Sequence, residues 1–230
     1  MKKLFLLFFL PFLPLLAHAD AVEIDGIYYN LIEKGNIAEV THRPIDTYSG
    51  DIVIPASVRY NGTEYKVTKV GNHAFYFCVG ITSLTLPNSI TKIGEYAFEW
   101  CKSLTSISIP NSVTYIEAFA FQACDLTEVH ISDIAAWCRI RFDSRDSNPL
   151  TCAQHLYLGD DEINELVIPI GVTTIGKYAF NICRNLTSLS IPNSVTGIEN
   201  EAFMECSGLT EINLSNSVTK IGDNAFNNCI

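Results

Sequence analysis

A unit of 23 residues recurs along this chain, and that period constrains the fold more than any other feature. ITSLTLPNSITKIGEYAFEWCKS begins at Ile81, and LTSISIPNSVTYIEAFAFQACD begins at Leu104. LTSLSIPNSVTGIENEAFMECSG follows from Leu186, and LTEINLSNSVTKIGDNAFNNC from Leu209. The Ala-Phe pair returns at Phe75, Phe98 and Phe121, then at Phe180, Phe203 and Phe226, with 59 residues across the gap. Cysteine keeps the same rhythm at Cys78, Cys101, Cys124, Cys183, Cys206 and Cys229. A fixed period of this length is the signature of stacked units, each in contact mainly with its neighbours.

The residues within one unit predict its shape. Leu84 and Leu86 alternate with polar residues, so both point to one face of a short strand. Pro87-Asn88-Ser89 then ends the strand, because proline lacks the N–H that a ladder needs. Asn88, Asn111, Asn193 and Asn216 recur at this bend, where their amides are expected to bond nearby backbone. Ile90 and Ile93 return inward along a second extended piece. Ala97, Phe98 and Cys101 have the spacing of one face of a short helical turn. One such unit buries too little apolar surface to offset its own ordering, so the units must stack and share interfaces. The expected fold class is therefore an α/β repeat solenoid: a right-handed superhelix with a parallel sheet along one side and short helical turns.

The pattern L-x-x-L-x-I-P-x-S-V-T-x-I-x-x-x-A-F-x-x-C resembles the BspA-like leucine-rich-repeat family of bacterial surface proteins, over roughly residues 65–230. That resemblance implies adhesion or other macromolecular binding at a cell surface, with no chemistry of its own.

The start of the chain reads differently. Met1-Lys2-Lys3 is a short basic start, Leu4 to Leu16 is apolar apart from prolines, and Ala17-His18-Ala19 has the small-x-small cleavage pattern. Residues 1–19 thus read as a secretory signal peptide, too short in its apolar part to span a bilayer. The expected localisation is exported: secreted, at the cell surface, or periplasmic, with no membrane insertion after cleavage. The chain carries 15 Lys+Arg against 25 Asp+Glu, a formal charge of −10, and loss of Lys2 and Lys3 makes it more acidic. Such a surface repels nucleic acid and anionic membrane.

Residues 20–64 do not obey the repeat and are expected to form an N-terminal β cap over the first unit. Asp25-Gly26 and Asn61-Gly62 are hairpin turns by composition. The repeats occupy 65–230, with an irregular insert at about 132–162. Val129-His130-Ile131 still reads as a repeat strand, whereas Asp133 to Ile140 reads as a short helix capped by Ser132 or Asp133. The insert holds Trp137 with Arg139, Arg141 and Arg145. Tryptophan and arginine are favoured in binding hot spots. Alternatively, Trp137 plugs the irregular unit while the arginines balance Asp143 and Asp146.

Six cysteines share one inward repeat position and read as packed free thiols. Cys138 and Cys152 fall in the insert, where a disulfide between them is an open alternative. The five histidines lack ligand spacing, Asp160-Asp161-Glu162 lacks the alternation of a calcium loop, and no phosphate loop or nucleophile elbow occurs. Neither metal, cofactor nor catalysis is expected.

The expected role is a binding module for an extracellular protein or glycan. Its candidate contacts are Thr85, Ser108, His130, Ser190 and Asn213 on the outer strand face, or Trp137 with its arginines. The rival reading is a structural spacer or assembly component of a larger surface protein. In it, the repeat rows at the C-terminal end would support end-to-end association.

Overall fold

The computed structural model describes residues 21–229; the signal-peptide reading falls on residues outside these. The chain is a solenoid in which each coil contributes to three hydrogen-bonded columns. The first column begins with strands Ser49–Val53 and Gly80–Thr85, which pair in parallel. Ser106–Ser108, Glu128–Ile131 and Leu156–Leu158 continue this side of the solenoid as a parallel ladder. After a break come Glu165–Val167, Ser188–Ile191 and Glu211–Leu214, again parallel. The second column runs Ile37–Thr41, Thr63–Val70, Lys92–Ile93, Tyr115–Ile116 and Arg141–Phe142. It too is broken, and resumes with Thr174–Ile175, Gly197–Ile198 and Lys220–Ile221.

The third column corrects the sequence reading. The Ala-Phe-x-x-Cys segment is not a helix; the two α-helices among the described residues both lie in the insert. Instead, residues two before and two after each phenylalanine take positive φ, as at Tyr96 (54°) and Trp100 (63°) around Phe98. This alternation turns every second N–H towards the next coil. Tyr96, Phe98 and Trp100 donate to the carbonyls of Ala118, Ala120 and Gln122 at 3.2, 2.8 and 3.1 Å. The apolar spacing is the same in a helical turn and in this alternating turn, so the residue pattern alone does not separate them.

Side chains reinforce the columns. Phe75, Phe98 and Phe121 stack with centroids 5.3 and 5.1 Å apart, and Phe180, Phe203 and Phe226 at 5.3 Å. Beside them the thiols bridge coils. Cys101, Cys124, Cys206 and Cys229 donate to Phe75, Phe98, Phe180 and Phe203 oxygens at 3.3, 3.0, 3.1 and 2.9 Å. Each of these oxygens also accepts the backbone N–H three residues on, so the thiol occupies its second lone pair. The Ser-Val-Thr threonines do likewise: Thr91, Thr114, Thr196 and Thr219 hydroxyls donate to the threonine carbonyl 23 residues earlier. The bend asparagines behave otherwise than expected. Asn88, Asn111, Asn193 and Asn216 are exposed, and among the described residues only Asn111 takes part in a hydrogen bond, accepting from Ser132. The bend is closed by the backbone instead, Ile90 N to Pro87 O at 3.1 Å.

The N-terminal segment divides in two. Val22–Ile24, Ile27–Ile32 and Ile37–Thr41 form an antiparallel meander whose first turn, Asp25-Gly26, has φ of 50° and 82° as the two-residue hairpin requires. Its last strand joins the second column, so the cap is hydrogen-bonded to the solenoid. Tyr48 donates to Thr41 O at 2.8 Å, and its ring packs 5.0 Å from Phe75, closing that end of the phenylalanine stack. From Ser49 onwards the chain is already solenoid, and residues 57–60 and 63–70 pair as a hairpin through Asn61-Gly62.

Candidate functional site

The insert is where both strand columns break. Helix α1 (Ile134–Cys138) is capped by Asp133, whose carboxylate accepts from Ala135 and Ala136 N–H at 2.7 and 3.2 Å. A single 3-10 turn, Arg145–Ser147, and helix α2 (Leu150–Ala153) follow. These elements imitate the missing coil. Asp146 O accepts from Phe121 N at 3.1 Å, and Cys152 donates to Phe121 O at 3.3 Å, which continues the thiol column.

Trp137 is 1% exposed, and its indole N–H donates to Ala179 O at 2.7 Å. In regular coils that alanine carbonyl accepts from the phenylalanine N–H one coil earlier, as Ala97 O does from Phe75. The fully buried Asn148 amide donates to the neighbouring Tyr178 O at 2.7 Å and to Ala179 O at 3.3 Å. Two insert side chains thus replace the missing coil's backbone donors and splice the solenoid halves. Trp137 presents no surface to a partner; it is the plug of the irregular unit. Cys138 and Cys152 are free thiols rather than a disulfide: Cys138 is buried on α1, while Cys152 is committed to its column.

The three arginines part company. Arg145 pairs with Glu205 at 2.8 Å, a carboxylate shared with Arg184 at 3.3 Å, and not with Asp146. Arg141 is exposed, 3.3 Å from Asp143 and stacked over Tyr115. Arg139 is exposed and makes no ion pair among the described residues.

Arg139 and Arg141 border a cleft of about 730 Å³ formed by the break. Regular coils join strand to strand: Gly94 N donates to Val70 O, and Gly222 N to Ile198 O. At the insert, Gly176 N donates to Cys138 O at 3.1 Å, at the end of α1, so Arg141–Phe142 and Thr174–Ile175 are left unpaired with each other. The approach at Gly176 is tight, since a Cβ would stand 3.0 and 3.1 Å from the Cys138 and Ile140 oxygens. The cleft between is lined by Arg139, Arg141, Lys177, Asp143, Thr173 and Thr174, over buried Phe142 and Val172. Three cations and one carboxylate line it, in a chain of net charge −10, with the Lys177 ammonium 4.4 Å from the Tyr178 ring centroid. Lys177, which sequence reasoning missed, lies far along the chain from Arg139 and carries no motif.

The outer strand face is mostly polar, with Val53 and Val167 exposed in register with Thr85 and Ser190. Thr85, Ser108 and Asn213 are exposed, His130 and Ser190 half-buried. At its centre the structure adds Tyr157, stacked on His130 at 4.8 Å. His130 Nδ1 lies 2.8 Å from Gly159 O and Nε2 3.1 Å from Glu128 Oε2, so both ring nitrogens face acceptors. Burial lowers its pKa, but those two hydrogen bonds and the charges of Glu128 and Asp160 outweigh it, and the net shift is upward.

The model of the BspA type leucine-rich repeat region matches residues 57–142 and 152–230 in six copies. A T. pallidum leucine-rich-repeat protein of solved structure is 24% identical, over 91% of this chain and 89% of its own, with a TM-score of 0.61. A leucine-rich-repeat protein from Bacteroides capillosus is 28% identical over 61% of this chain and 94% of its own, with a TM-score of 0.45. One from Bacteroides ovatus is 23% identical over 90% and 80%, with a TM-score of 0.42. No curated protein matches the chain. The repeat columns, their period and the matched residues together place the chain in the BspA-type leucine-rich-repeat family.

Proposed function

We propose that this protein is an exported binding module that recognises an extracellular macromolecule at a cell surface and catalyses no reaction. The observation that carries this reading is the reversed sign of the cleft: Arg139, Arg141 and Lys177 gathered at the solenoid's break in an acidic chain. A concave site with convergent cations concentrates field and draws anionic groups. Exposed Thr173 and Thr174 beside these cations suit a sugar acid, which brings a carboxylate and hydroxyls. Strand addition by an acidic peptide is poorly supported, because the flanking strands Arg141–Phe142 and Thr174–Ile175 are two residues each. Export rests on the pattern of residues 1–19, and among the described residues no helix is long and apolar enough to cross a membrane. The deeply buried thiols give no ready nucleophile: burial pushes Cys78 up to about 11, and Cys124, Cys138 and Cys183 up to about 12, whereas half-buried Cys229 is lowered by its hydrogen bond with Cys206.

Calorimetric titration with a uronic-acid oligosaccharide at low salt tests the reading. Binding should weaken at least about tenfold in Arg139→Ala with Lys177→Ala, and should fall with added salt. Equal binding by that variant, or none by the parent, would refute it. End-to-end association is a second reading, since Ile212, Leu214 and Ile221 are exposed. Light scattering that shows a monomer at all concentrations would remove it.

A further inference from the structure

Each turn segment holds two left-handed positions, and the chain fills them unequally. In the three coils before the insert they carry His73 and Phe77, Tyr96 and Trp100, Phe119 and Ala123. In the three after it they carry Tyr178 and Ile182, Glu201 and Glu205, Asn224 and Asn228. The backbone is the same in both halves, with φ near 60°, and in two coils of each half both N–H groups donate to the next coil, as at Tyr96 and Trp100 and at Tyr178 and Ile182. Left-handed φ is tolerated by asparagine and is unfavourable for a bulky aromatic side chain. The fold therefore does not call for rings here, as the asparagines and glutamates of the later coils show. Rings at a strained position, half in water, point to a task beyond folding.

These rings form one connected surface strip. Phe119, Tyr96 and His73 stack at 5.2 and 5.1 Å; His73 meets Tyr76 at 5.6 Å, Tyr76 meets Phe77 at 5.9 Å, and Phe77 meets Trp100 at 5.6 Å. Phe77 is 47% exposed, Val79 43% and Trp100 40%. The interior of these coils is already filled by the separate Phe75–Phe98–Phe121 column. We infer that this strip, centred on Phe77 and Trp100, is a docking surface for a partner protein that presents an apolar segment flanked by basic residues.

Two features select that occupant. Phe119, Tyr96 and His73 stack face on face, Phe77 lies tilted at 34° to Trp100, and Lys102 Nζ sits 5.1 Å from the Trp100 ring centroid, so Trp100 already has a ring and a cation against it. A pyranose needs an open ring face, whereas a protein side chain packs against edges equally well. Glu95 and Glu99 border Tyr96 and Trp100 without an ion-pair partner among the described residues, and burial pushes the Glu99 carboxyl up. A lysine or arginine on the partner would meet them, as rim charges do around an aromatic centre.

The test pans random peptides displayed on phage against the full chain, then titrates the enriched peptides after synthesis. Enrichment of apolar sequences flanked by Lys or Arg is expected. Trp100 emission should respond on binding, since Trp137, the other tryptophan, is buried. Phe77→Asn and Trp100→Asn should each weaken binding at least about tenfold while Tm stays unchanged or rises, because asparagine suits the left-handed backbone. Glu95→Gln with Glu99→Gln should weaken it less and flatten its salt dependence. A fall in Tm in the asparagine variants would mark the rings as packing and overturn the inference. So would failure to enrich any peptide, or peptides that bind those variants as tightly as the parent. Neutral oligosaccharide binding lost in the same variants would reassign the strip to glycan. Arg139→Ala should leave peptide binding intact, which separates this surface from the cleft.

Discussion

The indole N–H of Trp137 donates to the carbonyl of Ala179, 42 residues further along the chain, at 2.7 Å. Together with the Asn148 amide, that bond ties the insert to the coil after it, in place of the phenylalanine N–H that serves this carbonyl in regular coils. It also removes from the surface the residue that composition alone marks as a binding anchor.

Replacement Trp137→Phe keeps most of the ring but deletes the donor. Ala179 O then retains only the longer Asn148 contact of 3.3 Å. The expected cost is about 1–3 kcal/mol, as for a buried acceptor stripped of its main partner. Urea unfolding measures it. Hydrogen exchange should quicken first at Tyr178–Cys183, the segment the insert holds; uniform quickening along the chain would deny the splice its local role.

The thiol column makes a chemical prediction. Burial holds Cys124 and Cys183 up to about 12, so little thiolate forms in the native state. Iodoacetamide at pH 8 should label them only after denaturant is added, read by mass spectrometry. Rapid native labelling of Cys183 would contradict the buried column. Cys101→Ala should cost about 1–3 kcal/mol through lost volume and the lost contact to Phe75 O.

His130 gives the pH dependence. Its folded pKa lies above the ordinary value of 6.5, so the charged ring is favoured by folding. The resulting stability is fully present below 6.5 and disappears as pH rises through the folded pKa. The stability lost in His130→Gln should therefore be largest below pH 6.5 and shrink as pH rises through the raised folded pKa, and should stay under about 1 kcal/mol at this partly exposed site. A gap that widens as pH rises would show that the ring works as neutral imidazole.

Much of this was legible in the residues, for physical reasons. A repeat must bury the same positions in every coil, so Phe98 and Cys101 declare their inward column by recurrence alone. Asp25-Gly26 and Asn61-Gly62 announce hairpins because few other pairs accept two positive φ values. Asp133 announces the start of α1 because its carboxylate satisfies N–H groups that a helix leaves unpaired. The alternating turn was hidden, since Ala97, Phe98 and Cys101 face inward in it as they would in a helix. The cleft was hidden for another reason. It depends on Gly176 pairing with Cys138 O, which decides where Lys177 meets Arg139 and which no local pattern encodes. The aromatic strip was within reach: comparing what differs between repeats, rather than what recurs, isolates Trp100 and Phe77.

The cleft is the feature on which the proposed function stands, and its affinity for a carboxylated sugar tests it most directly. Titration of the full chain with a uronic-acid oligosaccharide should show saturable, salt-sensitive binding that Arg139→Ala with Lys177→Ala weakens at least about tenfold without change in Tm. Saturable binding that this double variant leaves untouched, or no binding at low salt, would contradict it.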